Sequence, residues 1–347
     1  MSVRLLLACA SLFGLAACSQ SSETTESDPR LPALRELPEN LAVAADHHIH
    51  VQSRELLENA TRLAALLPPE FQQSMDQLPV IDAAAIIAEL DAANIDYAAV
   101  LSGAYIMDMA EARDSWPEAT RIALVQAENN FAAAEVSRYP ERLRLFCGVN
   151  PLSDFSLDEI TRCRDELGAT GIKLHFASAD VDLLDTAHLA QLAAFLRHAA
   201  DLGLPVQVHM ANRAPDFGPR YVDNFIDHVV ADIPELDLYL LHMAGWGSAD
   251  LNQHSALQVW IDALNGGRLS GRENIYFETS VSYTRRQGNE RLAEQIEAIG
   301  ADRVLFGSDW PAFLRPAYAS ANFWTHVPLE ESVIADILDN RAPYFDE

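Results

Sequence analysis

Two histidines two residues apart, His48 and His50, stand in the run DHHIH at 46–50. Side chains alternate between two faces along a strand, so Asp46, His48 and His50 are predicted to share one face. His47 is predicted to face the other way and to pack behind the sheet. Two imidazoles on one face can hold a metal ion, although a chain with eleven histidines can place two at this spacing by chance.

The same layout recurs at the ends of later apolar segments. These segments end at His175 (with Lys173 two residues earlier), His209, His242, Glu278 and Asp309. Imidazole and carboxylate groups in this number suit a catalytic divalent ion that keeps one position open for water. Zinc is expected, and iron or manganese remain open.

Lys173 is the only lysine among 24 basic residues. Because the chain uses arginine everywhere else, we expect a role that arginine cannot fill. Lysine can lose its proton when buried and act as a base, as a nucleophile or, once carboxylated, as a metal-bridging ligand. The alternative is that Lys173 only pairs with a neighbouring carboxylate in an arginine-biased sequence.

The spacing of these segments predicts the fold. The last five follow one another at intervals of 31 to 36 residues, with a helical pattern between each pair. That interval is the length of one βα unit. With strands at 46–50, 98–101 and 145–149 there are eight, which predicts an α/β chain folded as a (β/α)8 TIM-type barrel over 43–347. A doubly wound sheet is disfavoured, because no glycine-rich phosphate loop follows the first strand.

In such a barrel the carboxyl ends of all eight strands meet at one mouth, so the polar residues can gather there. Helices are predicted at 54–67, 82–93, 119–138 and 329–340. The segment 103–117, which contains Tyr105, is predicted as a loop that either lies over the site or forms an ordinary packed connection. Cys147 and Cys163 are expected to be buried thiols, with a disulfide as the alternative in an oxidising compartment.

The N-terminal residues predict where the protein is located in the cell. Residues 1–17 combine Arg4, an apolar run and small residues before Cys18, which resembles a lipoprotein signal peptide. The apolar run is too short for the ~20 residues of a spanning helix. Cys18 is then the acylated N-terminus and 18–42 a flexible tether. Ser19 after the cysteine fits an outer-membrane lipoprotein of the bacterial envelope, facing the periplasm.

The charge balance limits the partners. Lys and Arg total 24 against 51 Asp and Glu, a formal net charge of −27. Nucleic acid and anionic lipid are therefore disfavoured, and contact with a membrane is expected only through the lipid anchor. The expected partner is a small-molecule substrate, and the sequence does not indicate the oligomeric state.

The motifs together resemble the amidohydrolase superfamily, in particular the metal-dependent hydrolase branch that includes aminocarboxymuconate-semialdehyde decarboxylase and related lactone hydrolases. The resemblance covers roughly 43–345. The matching segments are DHHIH at 46–50, RYPER at 138–142, GIKLH at 171–175, VH at 208–209, LHMAG at 241–245, FGSDWP at 306–311 and ILDN at 337–340.

The resemblance implies a role for each site residue. The implied ligands of the main metal are His48, His50, His209 and Asp309. His242 would contact substrate or bound water, and Lys173 stands where other branches carry a carboxylated lysine that bridges two metals. One ion is expected; with Lys173 and His242 as additional ligands, two remain open.

The main expectation is a hydrolase in which metal-bound water attacks a lactone, ester or amide carbonyl, with Asp309, His242 and Lys173 as catalytic residues. The nearest alternative is non-oxidative decarboxylation of an aromatic or unsaturated acid. A second alternative is a tethered binding protein without activity. The candidate substrate-binding residues are Arg213, Arg220, Trp310 and His175.

Overall fold

Eight parallel strands follow one another around one sheet in chain order. They are β1 Val43–Val51, β2 Ile95–Ser102, β3 Leu143–Gly148, β4 Gly171–His175, β5 Val206–His209, β6 Leu238–Leu240, β7 Ile275–Glu278 and β8 Val304–Leu305. The segment after β8 closes the ring on β1, because His47 N donates to Phe306 O at 2.9 Å and Asp309 N donates to His48 O at 2.8 Å. The predicted (β/α)8 barrel is confirmed.

The computed structural model describes residues 34–66, 75, 77–245, 251–284 and 286–346, without the side chains of 251–253. The predicted signal peptide, Cys18 and most of the predicted tether lie outside this range. Within it, no helix combines the length and apolar character that crossing a membrane requires.

Helices separate the strands and cover the outside of the barrel. They are α1 Arg54–Ala64, α2 Ala83–Ala93, α3 Ala110–Ser115, α4 Glu118–Val136, α5 Ser156–Asp165, α6 Phe176–Ala179, α7 Thr186–Asp201, α8 Pro219–His228, α9 Leu251–Gly266, α10 Asn289–Ile299, α11 Pro316–His326 and α12 Glu331–Asp339. Ser53 and Asp82 begin α1 and α2 by accepting hydrogen bonds from amides of the first turn. The four helices predicted from periodicity are confirmed within a few residues at their ends.

The segment 103–117 is not an open loop. It contains a 3-10 turn, Ala104–Asp108, followed by α3. Tyr105, Met107 and Met109 are buried. The segment is therefore a packed connection, and its Tyr105 ring also borders the site described below.

The core has two parts. The larger one lies between the strands and the surrounding helices. The smaller one joins strand residues such as Phe146 and Tyr239 to Tyr344 and Phe345 of the C-terminal turn Pro343–Phe345. Tyr97, near the start of β2, packs against this second cluster. The chain terminus therefore plugs the amino end of the barrel and leaves the carboxyl ends of the strands for the site.

His47 faces this plug, as its position in the strand predicts. Its Nδ1 donates to Phe306 O at 2.8 Å, and its Nε2 accepts from Ala342 N at 3.2 Å. Burial lowers the pKa of His47 to about 4. The imidazole is thus a neutral structural group behind the site.

The expectation of two buried thiols is wrong. Cys147 on β3 and Cys163 on α5 form a disulfide, with Cα atoms 6.5 Å apart. This separation is within the range that a disulfide spans. The expectation failed because it placed the two residues on adjacent elements but could not give the distance between them.

Candidate functional site

The two histidines of β1 present their Nε2 atoms to each other at 3.1 Å. The carbonyl oxygen of Leu101 lies 3.2 Å from His50 Nδ1 and can only accept, so this nitrogen carries the proton. His48 Nδ1 lies 3.1 Å from the Glu278 carboxylate, which accepts in the same way when ionised. Both Nε2 atoms therefore present lone pairs to the same point.

Asp309 completes this group from the segment after β8. Its Oδ1 lies 3.3 Å from Nε2 of both His48 and His50. Its backbone has φ 58°, a left-handed conformation that turns the chain at the barrel mouth. Burial would raise the pKa of Asp309, but its neighbours His50, His242 and Lys173 outweigh burial, and the pKa is lowered.

These three donors fit a divalent cation. Their separations of 3.1 to 3.3 Å match the edge of about 3.3 Å between ligands of a tetrahedral ion with bonds of about 2.0–2.1 Å. Ligand atoms of His48, His242 and Asp309 also lie within 4.8 Å of one another. Two facing lone pairs repel, so a cation between them removes an unfavourable contact.

Glu278 and Ser280 hold the histidines from behind. Ser280 Oγ donates to Glu278 Oε2 at 2.8 Å, and the same carboxylate accepts from the backbone N of His242 at 3.3 Å. Burial raises the pKa of Glu278 to about 8, so a nearby cation favours its ionised form. Gly307 makes room for it, because a Cβ at this position would collide with the carboxylate.

His242 follows β6 in the left-handed region, with φ 54°. Its Nδ1 lies 3.2 Å from the carbonyl oxygen of Ser280, which only accepts, so Nδ1 carries the proton and Nε2 a lone pair. The ring centroid is 5.0 Å from that of His48. Burial lowers the pKa of His242 to about 4, so the free imidazole is neutral.

Lys173 on β4 is 1% exposed. Burial lowers its pKa to about 7, although the charges of Asp309 and Glu278 act in the opposite direction. A buried lysine with this pKa can lose its proton at neutral pH, as the sequence suggested. Its carboxylation and a second metal ion remain predictions.

His209 and His175 lie side by side at the ends of β5 and β4. They are paired in the sheet register, and their rings stack with centroids 4.1 Å apart. His209 meets His242 edge to face at 4.8 Å. The structure therefore brings His48, His50, His209, His242 and Asp309 together.

Asp46 does not join this group as simple alternation predicts. The register of β1 against β2 shifts between Asp46 and Ile49. The Asp46 Oδ1 instead accepts from the backbone N of His48 and of Ser308, each at 3.0 Å. The carboxylate, whose pKa burial raises to about 7, thus ties β1 to the chain that carries Asp309.

The other predicted substrate-binding residues lie around the mouth. Arg213 donates to both oxygens of Glu111, at 2.8 and 3.0 Å, and to the carbonyl oxygen of Ala177. Arg220 is 60% exposed and pairs with Asp216. Trp310 is half-buried, and its carbonyl oxygen accepts from His50 N at 2.7 Å. Their roles towards a substrate remain predictions.

Sequence reasoning missed Ser280 and the part that Tyr105 plays. Ser280 touches Glu278, His48 and His242, yet its only signal is its place two residues after a strand-end carboxylate. Tyr105 stacks on His175 with centroids 5.2 Å apart. Trp246, which directly follows the LHMAG segment, lies outside the described residues.

Two curated proteins are similar to this chain in sequence. A gamma-resorcylate decarboxylase from Polaromonas sp. is 27% identical over 213 residues, which are 53% of this chain and 64% of that protein. The corresponding enzyme of Rhizobium radiobacter is 23% identical, over 55% of this chain and 66% of the relative. The chain thus spans about two thirds of the length of these curated relatives.

A solved structure supports the same fold. A dihydroxybenzoic acid decarboxylase from Polaromonas sp., with bound manganese and 2-nitroresorcinol, superimposes with a TM-score of 0.61. The identity is 21%, and the match covers 88% of this chain and 97% of that one.

The expectation that hydrolysis is the main reaction is wrong by these comparisons. The curated relatives are decarboxylases, and so are most of the solved neighbours. The sequence motifs could not separate the two reactions, because the ligands mark the metal site and not the bond that breaks. The decarboxylase alternative is the better supported of the two.

The family comparison covers nearly the whole barrel. The amidohydrolase family model matches residues 45–340, from the DHHIH strand to the last helix. This chain belongs to the amidohydrolase family.

Proposed function

We propose that this chain catalyses the metal-dependent, non-oxidative decarboxylation of a hydroxylated aromatic carboxylic acid. The observation that carries the proposal is the convergence of His48, His50 and Asp309 beside His242, in a chain whose sequence relatives are gamma-resorcylate decarboxylases. The reaction needs no redox partner, because loss of CO2 leaves an electron pair on a ring carbon that then takes up a proton.

The proposed ligands are His48, His50, His209 and Asp309. A divalent cation bound there would act as a Lewis acid on the carboxylate and hydroxyl oxygens of the substrate. Zinc suits the donor set, and manganese is bound in the solved neighbour. We propose one ion, with metal analysis to distinguish zinc from manganese.

His242 is the proposed proton carrier. Its Nδ1 is committed to Ser280, so any proton that it exchanges with substrate passes through Nε2. Burial lowers the pKa of the ring to about 4, and the nearby charge of Asp309 acts against this lowering. The resting ring is therefore neutral and would first take up a proton at Nε2 from solvent or from a substrate hydroxyl. The imidazolium formed in this way is a strong acid that could pass this proton to the ring carbon from which CO2 has left.

Glu278 and Asp46 fix the positions of the proposed ligands and of His242. Glu278 bonds to both His48 and the His242 backbone, so it fixes the metal group and the proton carrier relative to each other. Asp46 fixes the backbone before His48 and before Asp309. The inactive binding protein is disfavoured, because every residue of this arrangement is present.

The test is release of CO2. The purified protein is depleted of metal, reloaded with zinc or manganese, and incubated with 2,6-dihydroxybenzoate and 5-carboxyvanillate. We expect metal-dependent CO2 and the matching phenol. The proposal is overturned if protein with stoichiometric metal releases no CO2 from a panel of hydroxylated benzoates.

We also propose that the protein is lipid-anchored through Cys18, with 1–17 as signal peptide and 18–42 as the connection to the barrel. The prediction of a flexible tether does not hold for its described part, because Arg35 donates to Trp324 O and Trp324 Nε1 donates to Glu36 O, each at 2.9 Å. The Cys147–Cys163 disulfide supports an oxidising compartment. In a bacterial host, the wild type should fractionate with outer membranes and Cys18→Ser should not. Recovery of both proteins in the same soluble fraction would contradict the proposal.

A further inference from the structure

Three aromatic rings form a continuous stack that ends at one of the proposed ligands. Tyr105 lies nearly parallel to His175, with centroids 5.2 Å apart and an interplanar angle of 14°. His175 lies nearly parallel to His209, at 4.1 Å and 15°. His175 is therefore nearly parallel to both of its neighbours, and the plane of His209 follows that of His175.

The His175 ring is fixed by the short helix that it begins. Its Nδ1 accepts from Ser178 N at 3.1 Å, so it acts as the N-cap of α6. Two arginines hold this helix from outside. Arg213 Nε donates to Ala177 O at 2.7 Å, and Arg113 donates to Ala179 O at 2.9 Å.

The 3-10 turn that carries Tyr105 is fixed by Gly148 at its start and by Asp108 at its end. A Cβ at Gly148 would lie 3.0 Å from Ala104 N and 3.1 Å from Tyr105 N, so only glycine allows this backbone to come so close. At the other end of the turn, buried Asp108 pairs with Arg121, and its carbonyl oxygen accepts from Asn150 at 2.7 Å.

We propose that Tyr105 and His175 are positioning residues that hold the His209 imidazole in the plane required for metal binding. Outer partners commonly orient a ligand histidine through a hydrogen bond. Here the orientation comes from stacking on a ring that is itself anchored. The inference rests on the proposed role of His209 as a ligand.

The experiment compares metal binding by the full-length protein and four variants. His175→Asn removes the ring but keeps an acceptor suited to the N-cap, and His175→Ala removes both. Tyr105→Leu removes the second ring, and Tyr105→Phe keeps it as a matched control. Cobalt(II) is the probe, because its visible spectrum reports ligand geometry without substrate.

We expect His175→Asn and Tyr105→Leu to weaken cobalt affinity by roughly 10- to 100-fold and to change the spectrum. Tyr105→Phe should match the wild type. Wild-type affinity and spectrum in both His175→Asn and Tyr105→Leu would overturn the inference. If His175→Ala unfolds, His175→Asn and Tyr105→Leu still decide the matter.

This result is separable from the proposed reaction. A wild type that binds cobalt but releases no CO2 would refute the decarboxylase proposal, and the stacking inference would still be decided by the spectra. A wild type that binds no cobalt would overturn the inference whatever the activity.

Discussion

The Nε2 atoms of His48 and His50 lie 3.1 Å apart, and when Glu278 is ionised neither atom has the proton that a hydrogen bond between them would need. The opposite nitrogens are held by Glu278 and by Leu101 O. Two lone pairs at this distance are unfavourable unless a proton or a cation lies between them. The strand β1 therefore already holds the two Nε2 atoms at a separation that suits a bound metal ion.

We expect His50→Ala to weaken metal affinity by more than roughly 100-fold, because loss of a ligand costs more than loss of an outer partner, which itself costs 10- to 100-fold. Metal content after dialysis measures it. The matched control is His228→Gln at the exposed end of α8, which should retain the wild-type content. Equal metal content in His50→Ala and wild type would remove His50 from the ligand set.

Replacement of the proton carrier should separate binding from turnover. We expect His242→Asn to keep its metal but to lose roughly 10²- to 10⁴-fold in kcat, the usual contribution of a general acid or base. Measurement of both quantities on the same preparation checks this. Loss of metal would instead make His242 a ligand, and normal turnover would end its assignment as proton carrier.

The barrel could be predicted from the sequence because its signals are local. Apolar strands that end in polar groups at a regular interval fix the βα units, and the two-residue spacing of His48 and His50 fixes their common face. Both features depend only on neighbours along the chain. The order of the strands then follows from the short right-handed connections.

The residues that orient the proposed ligands could not be predicted, because their contacts depend on the register between strands that are distant in sequence. Glu278 and Ser280 reach His48 across 230 residues or more. The left-handed turns at His242 and Asp309 also have no signal, since neither residue is glycine. The reaction itself was predicted wrongly because ligands alone do not identify the scissile bond.

Glu128 should make stability depend on pH. Its carboxylate is 3% exposed and accepts from the backbone N of Ser53 at 3.2 Å, and burial raises its pKa from 4.5 to about 7. Between these values the folded protein holds a proton that the unfolded chain has released. The free energy of unfolding therefore falls as pH rises from 4.5 to 7, by up to about 3 kcal/mol.

Glu128→Gln should remove this contribution. We compare the free energy of unfolding of the variant with that of the wild type at each pH. We expect this difference to favour the variant by up to about 3 kcal/mol more at pH 8 than at pH 5. Denaturant unfolding at both pH values measures it, with Glu58→Gln on the exposed face of α1 as control. A difference between wild type and Glu128→Gln that is the same at pH 5 and pH 8 would show that Glu128 does not titrate in this window.

The C-terminal plug should carry a large share of the stability of the barrel. The Tyr344 ring packs against Phe146 at 5.0 Å and Tyr239 at 5.2 Å, and its hydroxyl accepts from Gln207 Nε2 at 3.3 Å. Tyr344→Ala leaves a cavity between strands, and we expect a loss of about 3–5 kcal/mol, as for other large aromatic residues.

Tyr344→Phe separates packing from the hydrogen bond. It keeps the ring and removes only the hydroxyl, so we expect a loss of about 1 kcal/mol. Denaturant unfolding of both variants measures the two contributions. Since Tyr344 lies at the end of the barrel opposite the metal group, Tyr344→Phe should bind metal as the wild type does. Equal losses in the two variants would show that the hydroxyl, and not the ring, holds the terminus in the barrel.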